Sequence, residues 1–296
     1  MSENRPHQSA ATPSRLLRIG LPSKGRLAEI SAQLLAEAGL NFRRSERSLF
    51  ARCRDIPAEV IFLRTDDIPV LVAEGAIDLG VTGADLVAES GARLVHRLDL
   101  GIGSCRLALC VAEDSAISEV SHLQGTRIAT SFPQITRGWL KERGVEAHFV
   151  PLSGSVEVMI QLGVAEAIVD LVETGSTLAA NRLRVMAELG RYETVLVQNP
   201  DLHQPALADR IVRRLEGVVI ARTYSLLEYN IPRGRLPEAE AITPGFNSPT
   251  VSALEDPGWC AVRAMVRRGE VHGIMERLEA IGASAVIETR IANCRL

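Results

Sequence analysis

Residues 67–87 read "DIPVLVAEGAIDLGVTGADLV", and residues 161–181 read "QLGVAEAIVDLVETGSTLAAN". Within them "IDLGVTGADL" (77–86) and "VDLVETGSTL" (169–178) align without a gap. Asp78 falls on Asp170, Thr82–Gly83 on Thr174–Gly175 and Leu86 on Leu178, 92 residues apart. Each copy is a short apolar run that ends in a Thr-Gly turn and opens a helical stretch. Such a run bounded by turn residues reads as a buried strand. The repetition predicts two α/β lobes, each presenting its turn at the carboxyl end of a strand, where open α/β sheets take ligands. Facing each other across a cleft, the two turns would form one site. The alternative is common strand-to-helix punctuation used twice.

Working outward, strands are expected in "LLRIGLP" (16–22), "AEVIFLR" (58–64), "SCRLALCVAE" (104–113), "TRIATSFP" (126–133), "EAHFVPL" (146–152) and "YETVLVQNP" (192–200). Helical spacing appears in "AEISAQLLAEAGL", "DDIPVLVAEG", "QITRGWLKERG" and "GSVEVMIQLG", several closed by Gly. Strands alternating with helices at this spacing mean an α/β fold with largely parallel sheets. From about residue 206 the pattern changes. "ADRIVRRLEG" reads as helix, "VVIARTYSLLEYNI" as an extended strand, "PRGRLPEAEAI" as helix, "SPTVSAL" and "WCAVRAMV" as strands, "EVHGIMERLEAIG" as helix and "ASAVIETRIA" as strand. This is the ferredoxin-like βαββαβ order.

The 296 residues suffice for two or three domains, and a composition 46% hydrophobic and 23% charged supports sizeable cores. A net charge of −3 with no long basic run argues against a general nucleic-acid binder. Five cysteines, an odd number without C-x-x-C, suit reduced thiols in a cytoplasm. No apolar run is long enough to span a membrane. Residues 1–14, polar and Pro-containing, read as a disordered tail. Lysine occurs only at 24 and 141 among 33 basic residues, so Lys24 in "PSKGR" hints at a place for a compact ammonium; chance at an exposed turn is the plain alternative.

The second turn carries the more specific chemistry. Residues 173–177 offer successive backbone N–H groups at a helix start, with hydroxyls from Thr174, Ser176 and Thr177, while Gly175 lets a ligand approach the backbone. Amide donors and a helix dipole suit a phosphate monoester. Asp170 and Glu173 could accept from ribose hydroxyls, so acid plus phosphate turn suggests a phosphorylated sugar. A plain helix N-cap would look similar. Lys24 with Arg26, and Arg64 ahead of Asp66 and Asp67, stand at strand-to-helix turns suited to polyanions; one of the two aspartates reads as a cap. Asp85 lies one turn into a helix, where it could meet a base, sugar or Mg²⁺. Walker, dinucleotide-binding, Ser-hydrolase and zinc-protease motifs are absent, and the six histidines lack metal spacing.

With these residues quoted, the chain resembles the long-form ATP phosphoribosyltransferases of histidine biosynthesis. The likeness covers roughly 16–296 and rests on "LPSKGRL", "LRTDDIPVLVAEGAIDLGVTGADL", "RIATSFP", "GSVE", "LGVAEAIVDLVETGSTLAANRL" and "ITPGFNSPTVSAL". It implies a two-lobed catalytic region resembling periplasmic binding proteins: lobe I from 15–105 and 189–205, lobe II from 106–188, and a regulatory domain from 206–296. It implies transfer of phosphoribose from phosphoribosyl pyrophosphate to N1 of ATP, assisted by Mg²⁺ whose ligands stay open, in a cytoplasmic homo-oligomer that passes from dimer to hexamer. By resemblance Asp170, Leu171, Val172, Glu173, Thr174, Gly175, Ser176 and Thr177 form the phosphoribosyl loop, Lys24 and Arg64 contact phosphates, and Asp85 faces the nucleotide. Histidine would bind as feedback inhibitor near Asn230, Ser248 and Thr250. Two positions depart from the family: Asn230 is neutral where some relatives have Asp, and Phe132 stands where Tyr is usual, losing a phenol but keeping a ring that could stack on adenine. Rival readings are a prephenate dehydratase-like enzyme, whose Thr-Arg-Phe signature is missing, and a solute-binding module without catalysis.

Overall fold

The computed structural model describes residues 15–45, 48–172 and 175–295. In chain order, lobe I opens with β1 (Leu17–Pro22), α1 (Gly25–Glu37), β2 (Phe50–Arg52), β3 (Ala58–Leu63), α2 (Ile68–Ala73), β4 (Leu79–Gly83), α3 (Ala84–Ser90) and β5 (Val95–Asp99). Lobe II follows with β6 (Cys105–Ala112), β7 (Arg127–Thr130), α4 (Pro133–Lys141), β8 (His148–Pro151), β9 (Ala167–Val172), α5 (Ser176–Ala180) and β10 (Leu183–Tyr192). The chain then returns to the first sheet through β11 (Thr194–Gln198) and α6 (Pro205–Thr223). The last part is β12 (Tyr224–Pro232), α7 (Leu236–Ile242), β13 (Thr250–Ala253), β14 (Trp259–Arg267), α8 (Val271–Ala280) and β15 (Ser284–Arg290).

Three sheets result, ordered β2-β3-β1-β4-β11-β5, β10-β6-β9-β7-β8 and β13-β14-β12-β15. In the first, β3, β1 and β4 run parallel, while β2 and β11 are antiparallel. In the second, β9, β7 and β8 run parallel, β6 is antiparallel to β9, and β10 is antiparallel to β6. Each of these two sheets is covered on both faces. On one side of the first, Leu34 and Leu35 of α1 meet Leu207, Ile211, Leu215 and Val218 of α6 over Leu17, Ile19 and Val60. On the other side, Ile68 and Val72 of α2 pack on Ile61 and Val197. Burial on both faces explains why these strands read as continuous apolar runs rather than alternating ones. In the third sheet Leu227, Tyr229 and Ile231 alternate inward against Ile274 and Leu278 of α8, and the strand order is that of a βαββαβ unit.

The helices begin where the sequence allows. Pro stands in the first turn of α2, α4, α6 and α7, where its missing N–H costs no intrahelical bond. Two expectations are corrected. The segment "VVIART" (218–223) is not the start of a strand but the last turns of the 19-residue α6. Leu207, Ile211, Leu215 and Val218 hold a helical face buried against lobe I, and that packing outweighs the β-branched content of the segment. The third sheet therefore starts at Tyr224. The helix expected over "GSVEVMIQLG" shortens to a 3₁₀ turn at Val156–Val158. β2, β5 and β10 had no counterpart in the sequence expectations.

Candidate active site

The parallel strands β3, β1 and β4 are neighbours, so their carboxyl ends bring Arg64, Lys24 and Asp85 to one edge of lobe I. Pro22 pairs with Leu63 in that register, and the Ser23 N–H donates to the Leu63 carbonyl at 2.7 Å. Lys24 is the exposed N-cap of α1. Arg64 is exposed as well, its guanidinium 3.3 Å from the Asp66 carboxylate. Asp67 is the residue before α2 but makes no side-chain capping bond. Asp85 differs from both cations in being buried, 5% exposed. Burial raises its carboxyl above the usual range, opposed by the backbone N–H groups of Leu86 and of Asp85 itself.

A cavity of about 330 Å³ lies between the lobes. Asp85, Thr65, Gly83 and Arg26 line it from lobe I, and Cys105 and Leu171 from lobe II. The lining residues are Arg26 and Thr65 rather than their sequence-selected neighbours Lys24 and Arg64. Its back wall is the crossover between lobes: Gly103, Ser104 and Thr194. Gly103 has φ 65°, and a Cβ there would meet the Thr194 Oγ1 at 2.7 Å. The position requires glycine on both counts.

A second cavity of about 450 Å³ adjoins it and is lined by Glu157, Asp170, Leu171, Val172, Gly175, Ser176, Thr177 and Leu178. Leu171, 37% exposed, lines both cavities. Asp170 sits inside β9, and its Oδ1 accepts the Leu171 N–H at 2.8 Å. Its carboxyl is raised, chiefly by burial and further by the charge of Glu157. Gly175 is the N-cap of α5 with φ 80°, and a Cβ would meet nothing within 4 Å. The residue is selected there by conformation and leaves the approach to the backbone open. α5 has only five residues, so its amides, not a helix dipole, are what it offers an anion. Glu173 and Thr174 lie outside the described residues. Glu157, in "GSVE", joins this group through space, which its position in the sequence did not reveal.

The matching positions of the first turn do other work. Asp78 is buried, and its Oδ2 accepts the Arg18 N–H at 2.7 Å. Thr82 is fully buried and donates from Oγ1 to the Thr65 carbonyl at 3.0 Å. Phe132 corrects an expectation: its ring is 4% exposed and packs in lobe II with Leu109, Leu123 and Val169, so it presents no stacking face. In the third sheet Asn230 pairs with Ala261, and Thr250 with Arg263, so β14 lies between them; Ser248 stands in the loop before β13. Glu228, on the same face, is bound to the Arg263 guanidinium at 2.6 Å.

No cluster of three or more His, Cys, Asp or Glu able to hold a metal occurs among the described residues. Burial lifts the thiols of Cys53 and Cys110, to about 11 and about 12, so neither supplies a thiolate near neutral pH. Among the described residues no helix is long and apolar enough to cross a membrane.

Residues 64–217 match the family model of the ATP phosphoribosyltransferases, and residues 221–293 match that of their C-terminal domain. An ATP phosphoribosyltransferase of Rhodopirellula baltica is 60% identical over 296 residues, covering 100% of this chain and 99% of the relative. One of Salinibacter ruber is 43% identical, covering 95% and 100%. Among solved structures, the ATP phosphoribosyl transferase (HisG:HisZ) complex from Thermotoga maritima superposes with a TM-score of 0.59 at 28% identity, over 68% of this chain and 99% of that one. The chain belongs to the ATP phosphoribosyltransferase family, in its long form, and is a phosphoribosyl transferase of the first step of histidine biosynthesis.

Proposed function

We propose that the two adjoining cavities hold phosphoribosyl pyrophosphate and ATP together, and that N1 of the adenine attacks C1′ of the ribose as pyrophosphate leaves. The observation that carries this reading is the loop after β9. An open backbone at Gly175, two hydroxyl residues and a half-buried acid pair, Asp170 and Glu157, stand side by side. Amides of 175–177 would take the 5-phosphate, and Asp170, with Glu173, the ribose hydroxyls. Arg26, Lys24 and Arg64, on the facing edge of lobe I, would take pyrophosphate and the ATP phosphates. Asp85, at the nucleotide side, would accept from the adenine amino group and aim N1 at the ribose.

Displacement at C1′ builds positive charge on the sugar and negative charge on the leaving group. Alignment and fixed cations supply the acceleration, and no covalent intermediate is needed. Carboxylates near the ribose favour the cationic sugar. The absence of a three-carboxylate cage among the described residues fits Mg²⁺ brought in by the substrate's own phosphates, as Mg²⁺ is commonly carried. Bound there, it would neutralise charge on pyrophosphate.

The βαββαβ unit is read as the sensor for histidine, with Asn230, Ser248 and Thr250 as its contacts. The neutral Asn230 leaves Glu228, two residues away on the same face, as the carboxylate for the ligand's ammonium. Inhibition would shift the population toward an inactive arrangement of a cytoplasmic homo-oligomer, dimer to hexamer. The test is turnover with ATP, phosphoribosyl pyrophosphate, Mg²⁺ and pyrophosphatase, followed by absorbance of the N1-ribosylated adenine, with and without histidine. Turnover suppressed by histidine in the wild type, with suppression lost in the Ser248→Ala, Thr250→Ala double variant, supports the whole reading. Equal loss of turnover and inhibition in the variant would sink the sensor assignment.

A further inference from the structure

Helix α3 does more than present Asp85. Leu86, the next residue, packs against the core of lobe II. Glu89, one turn past Asp85, reaches across to α4. Its Oε1 accepts the Gln134 N–H at 2.8 Å, and its Oε2 accepts the N–H of Gln134 at 3.1 Å and of Ile135 at 3.0 Å. The donors at the start of α4 can be accounted for completely. Pro133 has no N–H, and the N-cap Phe132 makes no side-chain capping bond. Thr136 N–H already donates to the Phe132 carbonyl at 3.0 Å. That leaves Gln134 and Ile135, and Glu89 satisfies both. A helix of lobe II is thus capped by a carboxylate of lobe I.

The chain crosses between the two lobes twice, and the crossings are tied together where the Thr194 N–H donates to the Ile102 carbonyl at 3.0 Å. The lobes are joined by residues 100–104, where Gly101 and Gly103 have φ 63° and 65°, and by Glu193 between β10 and β11. Loops of this kind absorb rotation, so contacts across the cleft decide how far the lobes close. Glu89 is one such contact, on the same helix as a residue that lines the cavity.

We propose that Glu89 is a positioning residue for phosphoribosyl transfer, an inter-lobe latch that caps α4 when the cleft is closed and so holds Asp170, Gly175 and Thr177 opposite the cationic edge of lobe I. The proposal rests on the reading that the substrates bridge both lobes. Removing the latch lowers the fraction of closed protein, and apparent affinity falls by that fraction. An N-terminal cap is worth roughly five- to tenfold in such an equilibrium.

The test uses the full chain with Glu89→Ala and Glu89→Gln. Amide hydrogen exchange at Gln134 and Ile135 is measured in the ligand-free protein, and KM and kcat are measured for both substrates. The expectation for Glu89→Ala is exchange about five- to tenfold faster at those amides and KM raised about five- to tenfold, with kcat within about twofold. Glu89→Gln, which keeps an acceptor and the helix surface, should fall between it and the wild type, and serves if the alanine variant folds poorly. Unchanged exchange would mean the latch does not exist. Faster exchange with unchanged KM would reduce Glu89 to a structural cap, and a fall in kcat alone would place it in the chemistry; both overturn the proposal. A wild type that turns nothing over would instead fail the substrate reading, while the exchange measurement would still judge the latch.

Discussion

The turns at 78–86 and 170–178 share Asp, Thr-Gly and Leu, yet use them differently. Asp78 precedes β4 and ties β1 in place through the Arg18 amide, whereas Asp170 lies within β9 and lines a cavity. Gly83 has an ordinary φ of −77° and is required because a Cβ would meet the Asp85 Oδ1 at 2.0 Å. Gly175 has room for a Cβ but adopts φ 80°. Leu86 reaches into the core of the other lobe, and Leu178 into that of its own. A repeated motif therefore does not mean a repeated role. One turn builds the sheet edge that presents Asp85, and the other stays open for the ligand.

The sharpest way to break this contrast is at the glycines. Gly175→Val forces a β-branched residue into the left-handed region and remodels the loop. We expect kcat/KM to fall about 100-fold or more through misplaced phosphoribose, while thermal stability changes little by comparison. Gly83→Val should instead lose both stability and kcat/KM, because the new side chain displaces the buried Asp85 carboxylate. Steady-state kinetics and thermal melts of the same two proteins check both.

The aspartates give the next largest effect. Asp170→Asn should cut kcat/KM by about tenfold or more with the fold intact, since a ribose acceptor becomes a neutral amide. Asp78→Ala should instead cost about 1–3 kcal/mol by leaving the part-buried Arg18 N–H without its acceptor, with KM unchanged. Urea unfolding read against kinetics separates them. Similar behaviour of the two variants would erase the distinction between the turns.

These contrasts show how much was legible in the sequence. The α/β class, the βαββαβ unit and the acid-plus-Gly loop all leave local signals: apolar runs, turn residues and spacing. What was missed lies where burial is partial or contacts are remote. β10 is half-buried along most of its length and carries two register shifts against β6, so it shows neither alternation nor a solid apolar run. β5 is mostly exposed. Both flank the crossings between the lobes, which the family resemblance located near 105 and 189 but no local pattern marked. "VVIART" looked like strand because of its β-branched residues, although Leu207, Ile211, Leu215 and Val218 already traced a helical face. Glu157 and Thr65 enter the site only through tertiary folding, and the burial of Phe132 depends on the lobe II core, which no local signal reports.

A smaller effect separates function from stability at Asp85. Its buried carboxyl titrates above the ordinary 3.8, so the folded protein binds that proton more tightly than the unfolded chain. Stability is lost as pH rises from the unfolded value through the raised one. Asp85→Asn should therefore melt higher than the wild type near pH 7, with the gap closing as pH falls through the raised value, and should lose turnover. A variant less stable at pH 7 would show that the carboxylate is held by bonds stronger than its burial penalty.

In the proposed reaction the lobe II loop holds the phosphoribosyl end while the nucleotide is held elsewhere in the cleft. Calorimetric titration of the Asp170→Asn and Thr177→Ala variants with phosphoribosyl pyrophosphate and, separately, with ATP tests it most directly. Affinity for phosphoribosyl pyrophosphate should fall about tenfold or more in both variants, with ATP affinity kept. Unchanged affinity for phosphoribosyl pyrophosphate, or an equal loss for both substrates, would contradict it.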